Sequence, residues 1–285
     1  MSSLREKTMH GVFLATACAS ILAVVLICVF LFSSAWPAFR EIGFVQFLFG
    51  RVWRPSAGEF GILPMILGSI YVTAGAIAIG VPIGVLCAMF MAFFCPRRLY
   101  GLIKPILDLM AGIPSIVYGF FGLVVLVPLM QDLTGTSGKS ILTASILLGI
   151  MILPTIISVA EAALRAVPTS YYEGSLALGA THERSVYCAA MPAAKSGILA
   201  GIILGIGRAV GETMAVIMVA GNMAVMPMGL LKGIRTMTAN IVLEMAYAPT
   251  GSLHSQSLIA TAVVLFVFIL IINLCFSALK RKGAK

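Results

Sequence analysis

The stretch GILAGIILGIGRAVGETMAVIMVA, Gly197 to Ala220, decides what kind of protein this is. It exceeds the about 20 residues that an α-helix needs to cross a bilayer, and its only charges are Arg208 and Glu212. The same character extends across the chain: of 285 residues 60% are hydrophobic and 10% charged, with a mean hydropathy of +1.08. Soluble domains carry about 25% charged residues because they need a polar skin. Lipid must therefore be the main solvent, and the fold class expected is an all-α integral membrane protein. The 28 glycines and 13 prolines fit that solvent, since neighbouring helices re-satisfy the backbone groups they free. Disordered, collagen-like and disulfide-framework classes are excluded.

Working outward from that stretch, long uncharged runs predict six transmembrane helices: about 11–34, 62–94, 105–130, 141–160, 197–220 and 258–279. The first ends at Ser33-Ser34-Ala35, which could pass for a signal-peptidase site, but its apolar run exceeds the roughly 7–15 residues of a signal core, so a retained helix is expected. The second is too long for one straight crossing. It tilts, kinks near Pro82, or begins with an interfacial turn at Leu63-Pro64.

The net charge of +9 is a topological signal. One side holds Arg5, Lys7, Arg97, Arg98, Lys104, Arg165, Arg184, Lys195, Lys280, Arg281, Lys282 and Lys285; the other holds Arg40, Arg51, Arg54, Lys139, Lys232 and Arg235. Twelve cations against six predict that both termini are cytoplasmic, which six helices satisfy. The six cysteines include no CxxC pair and mostly lie in apolar runs, so neither metal nor disulfide is expected. His10, His182 and His254 are scattered, and no cofactor is expected. Gly135 to Ser140 imitates the end of a phosphate-binding loop, but Leu133 stands where its first glycine is required.

Charges inside the membrane need a reason, since each costs about 2.5–3.5 kcal/mol on insertion scales. Arg208 and Glu212 are four apart, so two readings stand. They pair with each other and fasten helices, or the Arg208 guanidinium offers its planar fork to a passing oxyanion while Glu212 limits the attraction. Gly201, Gly205, Gly207 and Gly211 flank the pair at spacings that permit close helix contact. Asp108 lies one turn from Lys104 and is expected to reach it or water. Pro114 and Ser115, between Gly112 and Gly119, predict a local break that either lines a pathway or simply kinks the helix.

The segment of about 161–196 is a long loop on the side assigned to the cytoplasm, and a segment of that length usually has structure and a task. Glu173-Gly174-Ser175-Leu176-Ala177-Leu178-Gly179 reads as a short helix stopped by a left-handed turn at Gly179. A second is expected from Thr181 toward Ala190, stopping near Pro192. The bare physical alternative is an amphipathic helix lying on the membrane surface. A Glu, small residues, a Gly six positions on and a Pro thirteen further resemble the coupling loop of ATP-binding-cassette importer permeases, with Gly174 and Ser175 in place of two alanines.

Gly112 to Gly119, Gly205 to Val216 and Gly221-Asn222 are similar to the membrane subunits of high-affinity phosphate importers. Phe60 to Pro64 and Gly211 to Val216 resemble the PstC family more than its paralogue PstA. The resemblance covers roughly residues 60–280 and implies a type I importer permease core over 62–280. An N-terminal helix and external loop over 1–61 precede it, and a tail over 281–285 follows. It implies a non-catalytic subunit for inorganic phosphate, coupled to ATPase subunits through Glu173, Gly174, Ser175, Leu178 and Gly179. Its partners would be a second, PstA-like permease, a PstB-like ATPase dimer and a PstS-like phosphate-binding protein. The pathway residues would be Arg208, Glu212, Ser115 and Pro114. A secondary transporter coupled to ions, with Arg208, Glu212 and Asp108 as its charges, is the other class in view.

Overall fold

The computed structural model describes residues 2–283 and is mostly helical, with one two-stranded hairpin among the described residues and a long irregular segment over 220–236. The elements are α1 (Ser2–Ile42), α2 (Phe44–Phe49), β1 (Trp53–Arg54), β2 (Glu59–Phe60), α3 (Leu63–Met89), α4 (Arg97–Gly112), α5 (Ser115–Phe121) and α6 (Val127–Thr134). They continue with α7 (Ile141–Arg165), α8 (Thr169–Ala177), α9 (His182–Ser185), α10 (Met191–Ala193), α11 (Lys195–Gly211), α12 (Met214–Val219), α13 (Met237–Met245) and α14 (Leu253–Gly283). Wider π-helical turns extend α3 over Phe90–Phe94, join α5 to α6 over Gly122–Leu126, and join α9 to α10 over Val186–Ala190.

Among the described residues five helical stretches are long and apolar enough to cross a membrane: 8–42, 63–94, 115–134, 141–165 and 253–275. A sixth is reached if the bent pair His182–Ala193 and Lys195–Gly211, which meet at 72°, counts as one span. The expected tail over 281–285 divides: residues 281–283 finish α14, and 284–285 lie outside the described residues.

Two expectations for the spans, the third and the fifth, are corrected, while the second, expected over about 62–94, is found at 63–94. The third crossing is 115–134, not 105–130, because α4 is a separate amphipathic helix. Pro114 forces this: a proline drives the residue before it out of the helical region, and Ile113 is extended at φ −67°, ψ 127°. The second crossing opens at Leu63 with Pro64 in its first turn and runs through Pro82 without ending there. The fifth does not run unbroken to Ala220, since α11 stops at Gly211.

The core is built on α7, which packs against α3 on one side and α11 on the other. Within lipid the drive to associate is close packing, which favours small residues at contacts. Ile156 is fully buried between two of them: a Cβ on Gly84 would lie 2.8 Å from its Cγ2, and one on Gly205 would lie 2.8 Å from its Cγ1. Gly201 also meets α7, but Gly207 and Gly211 have nothing within 4 Å, so only half of the expected glycine contact exists. Ser140 starts α7 by accepting the Thr143 amide at 3.2 Å, an N-cap and nothing to do with nucleotide.

At the end of the molecule that carries the hairpin, residues 221–245 fold back into the bundle. Met237 N–H donates to Ser69 Oγ at 3.0 Å, and Ile234, Met237, Ala239 and Asn240 are fully buried. Glu244 holds this segment in place: it accepts from Trp53 Nε1 at 2.8 Å, from Arg235 Nη1, and bonds His254 Nε2 at 2.9 Å. Arg235 and His254 are within ten residues of Glu244, but Trp53 comes from the hairpin far back in the chain, a partner that no local pattern announces.

Candidate functional site

Two breaks in apolar helices lie where the sequence places its pathway residues. At the first, Pro114 has no N–H for the Met110 carbonyl, the partner it would have had four residues back. Tyr118 Oη donates to that carbonyl at 2.9 Å, closing the gap from the far side of the break. Ser115 opens α5, half-buried. At the second break α11 ends at Gly211 and Glu212 turns extended, at φ −68°, ψ 128°. Its Oε1 accepts the Thr213 and Ala215 amides at 3.1 and 3.2 Å, capping α12, and its carbonyl accepts Thr238 Oγ1 at 3.2 Å.

This geometry bears on the first reading of the intramembrane charges, the pair. The Arg208 to Glu212 pair, expected from a spacing of four along one helix, does not form: the helix ends between them, and the carboxylate is used as a cap. A carboxylate at a helix N-terminus is favoured by the free amides and the dipole. Arg208 is half-buried and its Nη1 donates to Thr155 Oγ1 at 3.4 Å, a long contact to a neutral group. Asp108 behaves as expected and meets Lys104 at 3.6 Å.

The two breaks are neighbours. The helices that start after them, α5 and α12, press together at Gly119, where a Cβ would lie 2.8 Å from Met218 Sδ and 2.9 Å from Ala215 Cα. Tyr118, Ala209, Ala215 and Ile156 share one buried cluster, so Pro114, Ser115, Arg208 and Glu212 lie around common packing. Irregular backbone at membrane depth is tolerated where it is enclosed in protein or lines a cavity. Sequence reasoning missed Tyr118, Thr155 and Thr238. Tyr118 was detectable as the hydroxyl one turn beyond a helix-breaking proline; Thr238 was not, because it arrives from a distant segment.

The 161–196 segment carries the second candidate surface, but α7 runs on to Arg165 and α11 starts at Lys195, so the loop itself is shorter than expected, 166–194. Its first helix begins at Thr169, earlier than expected, so Glu173 sits in the second turn and does not cap the first. The stop is as expected: Gly179 has φ +84°, its N–H donates to Leu176 O at 2.9 Å, and Ala180 N–H donates to Ser175 O at 3.2 Å. This double bond is the left-handed cap that glycine permits without strain. It leaves Leu178 91% exposed, with Glu173, Gly174 and Gly179 exposed and Ser175 half-buried beside it. Thr181 caps the second helix by accepting the Arg184 amide at 3.3 Å, and the helix stops at Ala193, next to Pro192 as expected.

The base of this loop is anchored by aromatic groups. Tyr172 Oη bonds His182 Nδ1, the Tyr172 ring stacks on Phe93 at 6.2 Å, and the His182 ring meets Phe94 edge-on at 4.6 Å. The exposed tip therefore stands on a fixed footing.

Residues 80–283 match the family described as "Binding-protein-dependent transport system inner membrane component". The chain is 38% identical over 275 residues to a probable ABC transporter permease protein, YqgH, of Bacillus subtilis, covering 93% of this chain and 89% of that one. It is 35% identical over 280 residues to the phosphate transport system permease protein PstC of Mesorhizobium japonicum, covering 90% and 85% respectively. Its fold is that of the MetNI methionine ABC transporter in inward-facing form, with a TM-score of 0.62 at 20% identity over 82% of this chain and 100% of that one. With a family match over most of its length and relatives this similar end to end, the chain belongs to the family of binding-protein-dependent transport system inner membrane components.

Proposed function

We propose that this chain is the permease subunit of an ATP-driven, binding-protein-dependent importer of inorganic phosphate in a bacterial inner membrane. The observation that carries the reading is the tip of the 161–196 loop: a rigidly footed short helix that ends in a left-handed turn and exposes Leu178 almost completely. An apolar side chain held out at the end of a helix, with Tyr171 and Leu176 also exposed on that helix, suits a pocket on another protein. The coupling surface is Glu173, Gly174, Ser175, Leu178 and Gly179, and its partner is a PstB-like ATPase dimer. The subunit is itself non-catalytic.

The pathway residues are Arg208, Glu212, Ser115 and Pro114. Arg208 has no carboxylate partner within the chain among the described residues, which leaves its fork free for an anion. The phosphate transport name of the Mesorhizobium relative agrees with that chemistry. The core is 62–280. A second, PstA-like permease completes the path, and a PstS-like protein delivers phosphate from outside. Rigid-body rocking of the two permeases opens the path to alternate sides.

Reconstituted with these partners, the chain should take up phosphate only with ATP and the binding protein, and should continue after an ionophore has collapsed ion gradients. Uptake that stops with the ionophore and ignores ATP overturns the reading in favour of an ion-coupled transporter. Both termini are placed in the cytoplasm, with the loop before α7 outside. A single cysteine at Ser137, exposed in that loop, should react with an impermeant maleimide in intact cells. Reaction only after lysis reverses the orientation.

A further inference from the structure

One charged cluster belongs to neither candidate surface. Glu161, on the last turns of α7, is 3% exposed, and a buried carboxylate persists only when paired and hydrogen-bonded. Its Oε1 accepts from Arg165 Nε at 2.8 Å, and its Oε2 lies 3.6 Å from Lys104 Nζ on α4. Lys104 Nζ also donates to Ser158 Oγ of α7 at 3.4 Å and meets Asp108 at 3.6 Å. Arg165 Nη2 donates to the Met91 carbonyl at 2.8 Å, inside the π-helical end of α3, and its guanidinium lies 4.7 Å from the centre of the Tyr100 ring of α4. One buried carboxylate thus organises two cations that reach three helices.

This cluster stands between the two surfaces. On one side, the π-helical end of α3 supplies Phe93 and Phe94, which hold Tyr172 and His182 at the base of the coupling loop. Leu107 of α4, Ile157 and Leu164 of α7 and Tyr172 pack in one cluster. On the other side, α4 runs directly into the extended Ile113 and the Pro114 break. Between the loop and the break the connection is therefore packed side chains and ion pairs, with the one soft point at Pro114.

We propose that Glu161 is a positioning residue: by holding Lys104 and Arg165 together it makes α4, the end of α3 and the base of the coupling loop move as one body, so that movement of the loop reaches the Pro114 break. The proposal rests on the functional reading above and deepens it by naming the joint. It requires Glu161 to contact neither phosphate nor the ATPase. Buried charge networks of this kind bind elements through several simultaneous hydrogen bonds, while coupling between distant sites needs a connected body that both sites bias.

The test uses the complete transporter in proteoliposomes, with phosphate uptake and ATP hydrolysis measured per assembled complex. Glu161→Gln keeps the shape and removes the charge; Lys104→Gln breaks the ion pair to α4 and leaves Glu161 with Arg165 and its contact to Tyr100, which serves if the first variant assembles poorly. Each should keep hydrolysis stimulated by the binding protein and lower the ratio of phosphate moved to ATP hydrolysed by about tenfold. A residue needed only for stability lowers the amount of complex and leaves the ratio alone, and that outcome overturns the proposal.

A second arm does not depend on the solute. Spin labels at Leu102 on α4 and Tyr171 on α8, both exposed, should keep one sharp distance in the otherwise unmodified transporter with and without nucleotide, and should broaden in Glu161→Gln. If the unmodified protein transports no phosphate yet keeps the sharp distance, the functional reading fails and the joint stands. If the distance changes with nucleotide while the rest of the protein transports normally, the joint fails and the functional reading stands.

Discussion

Leu178→Asp should abolish stimulation of the ATPase, and with it uptake, while the chain inserts and folds as before. The separation of the two effects follows from exposure. Leu178 is 91% exposed, so the chain's own packing loses nothing when it changes, whereas an apolar anchor seated in a partner's pocket contributes about 2 kcal/mol or more. Association with the ATPase should weaken by roughly thirtyfold, read by co-purification and by hydrolysis in the assembled complex. Gly179→Pro should act by a different physical route with the same result. Proline requires φ near −65°, and the turn needs +84°, so the knob is kept but re-aimed. A Leu178→Asp variant that assembles and hydrolyses ATP like the original removes the coupling role from this tip.

Arg208→Gln should lower phosphate uptake by roughly tenfold or more, because hydrogen bonds to a charged group contribute about 1.5–3 kcal/mol each and an amide lacks both charge and fork. Expression should hardly change. Among the described residues the hydrogen bond that the substitution removes is the 3.4 Å one to Thr155, and Glu212 keeps its two amides. Arg208→Lys, which restores charge without the planar fork, should recover part of the rate. Glu212→Gln is the companion variant: its side-chain oxygen still caps α12, so the break survives, and any change in uptake reports the lost charge. The measurement is initial-rate uptake of labelled phosphate at matched levels of protein. Undiminished uptake by Arg208→Gln withdraws that residue from the pathway.

Some of this was legible in the residues because its causes are local. Five crossings are legible in apolar length, though the third lies at 115–134 and not at 105–130, since a bilayer imposes a minimum run whatever the neighbours do. The left-handed turn at Gly179 and the break at Pro114 follow from what one glycine permits and one proline forbids. Even the position of the exposed tip needed only the rule that a helix stopped by such a turn ends there.

What the tertiary structure alone decided is who partners whom. A spacing of four between Arg208 and Glu212 promised a pair only if the helix continued. It ends at Gly211, where a Cβ on Gly207 or Gly211 would meet open space, and Glu212 turns to the free amides of the next helix while Thr238 arrives from a distant segment to donate to its carbonyl. Lys104 and Arg165 read as ordinary loop cations that set orientation, yet both converge on the buried Glu161. Charge and hydropathy along the chain record which groups must leave lipid, but a buried charge is satisfied by whatever donor the packing brings within about 3 Å. The resemblance of the coupling loop was therefore readable from order and spacing, whereas the joint beneath it and the freedom of Arg208 existed only once α3, α4, α7 and α11 were packed.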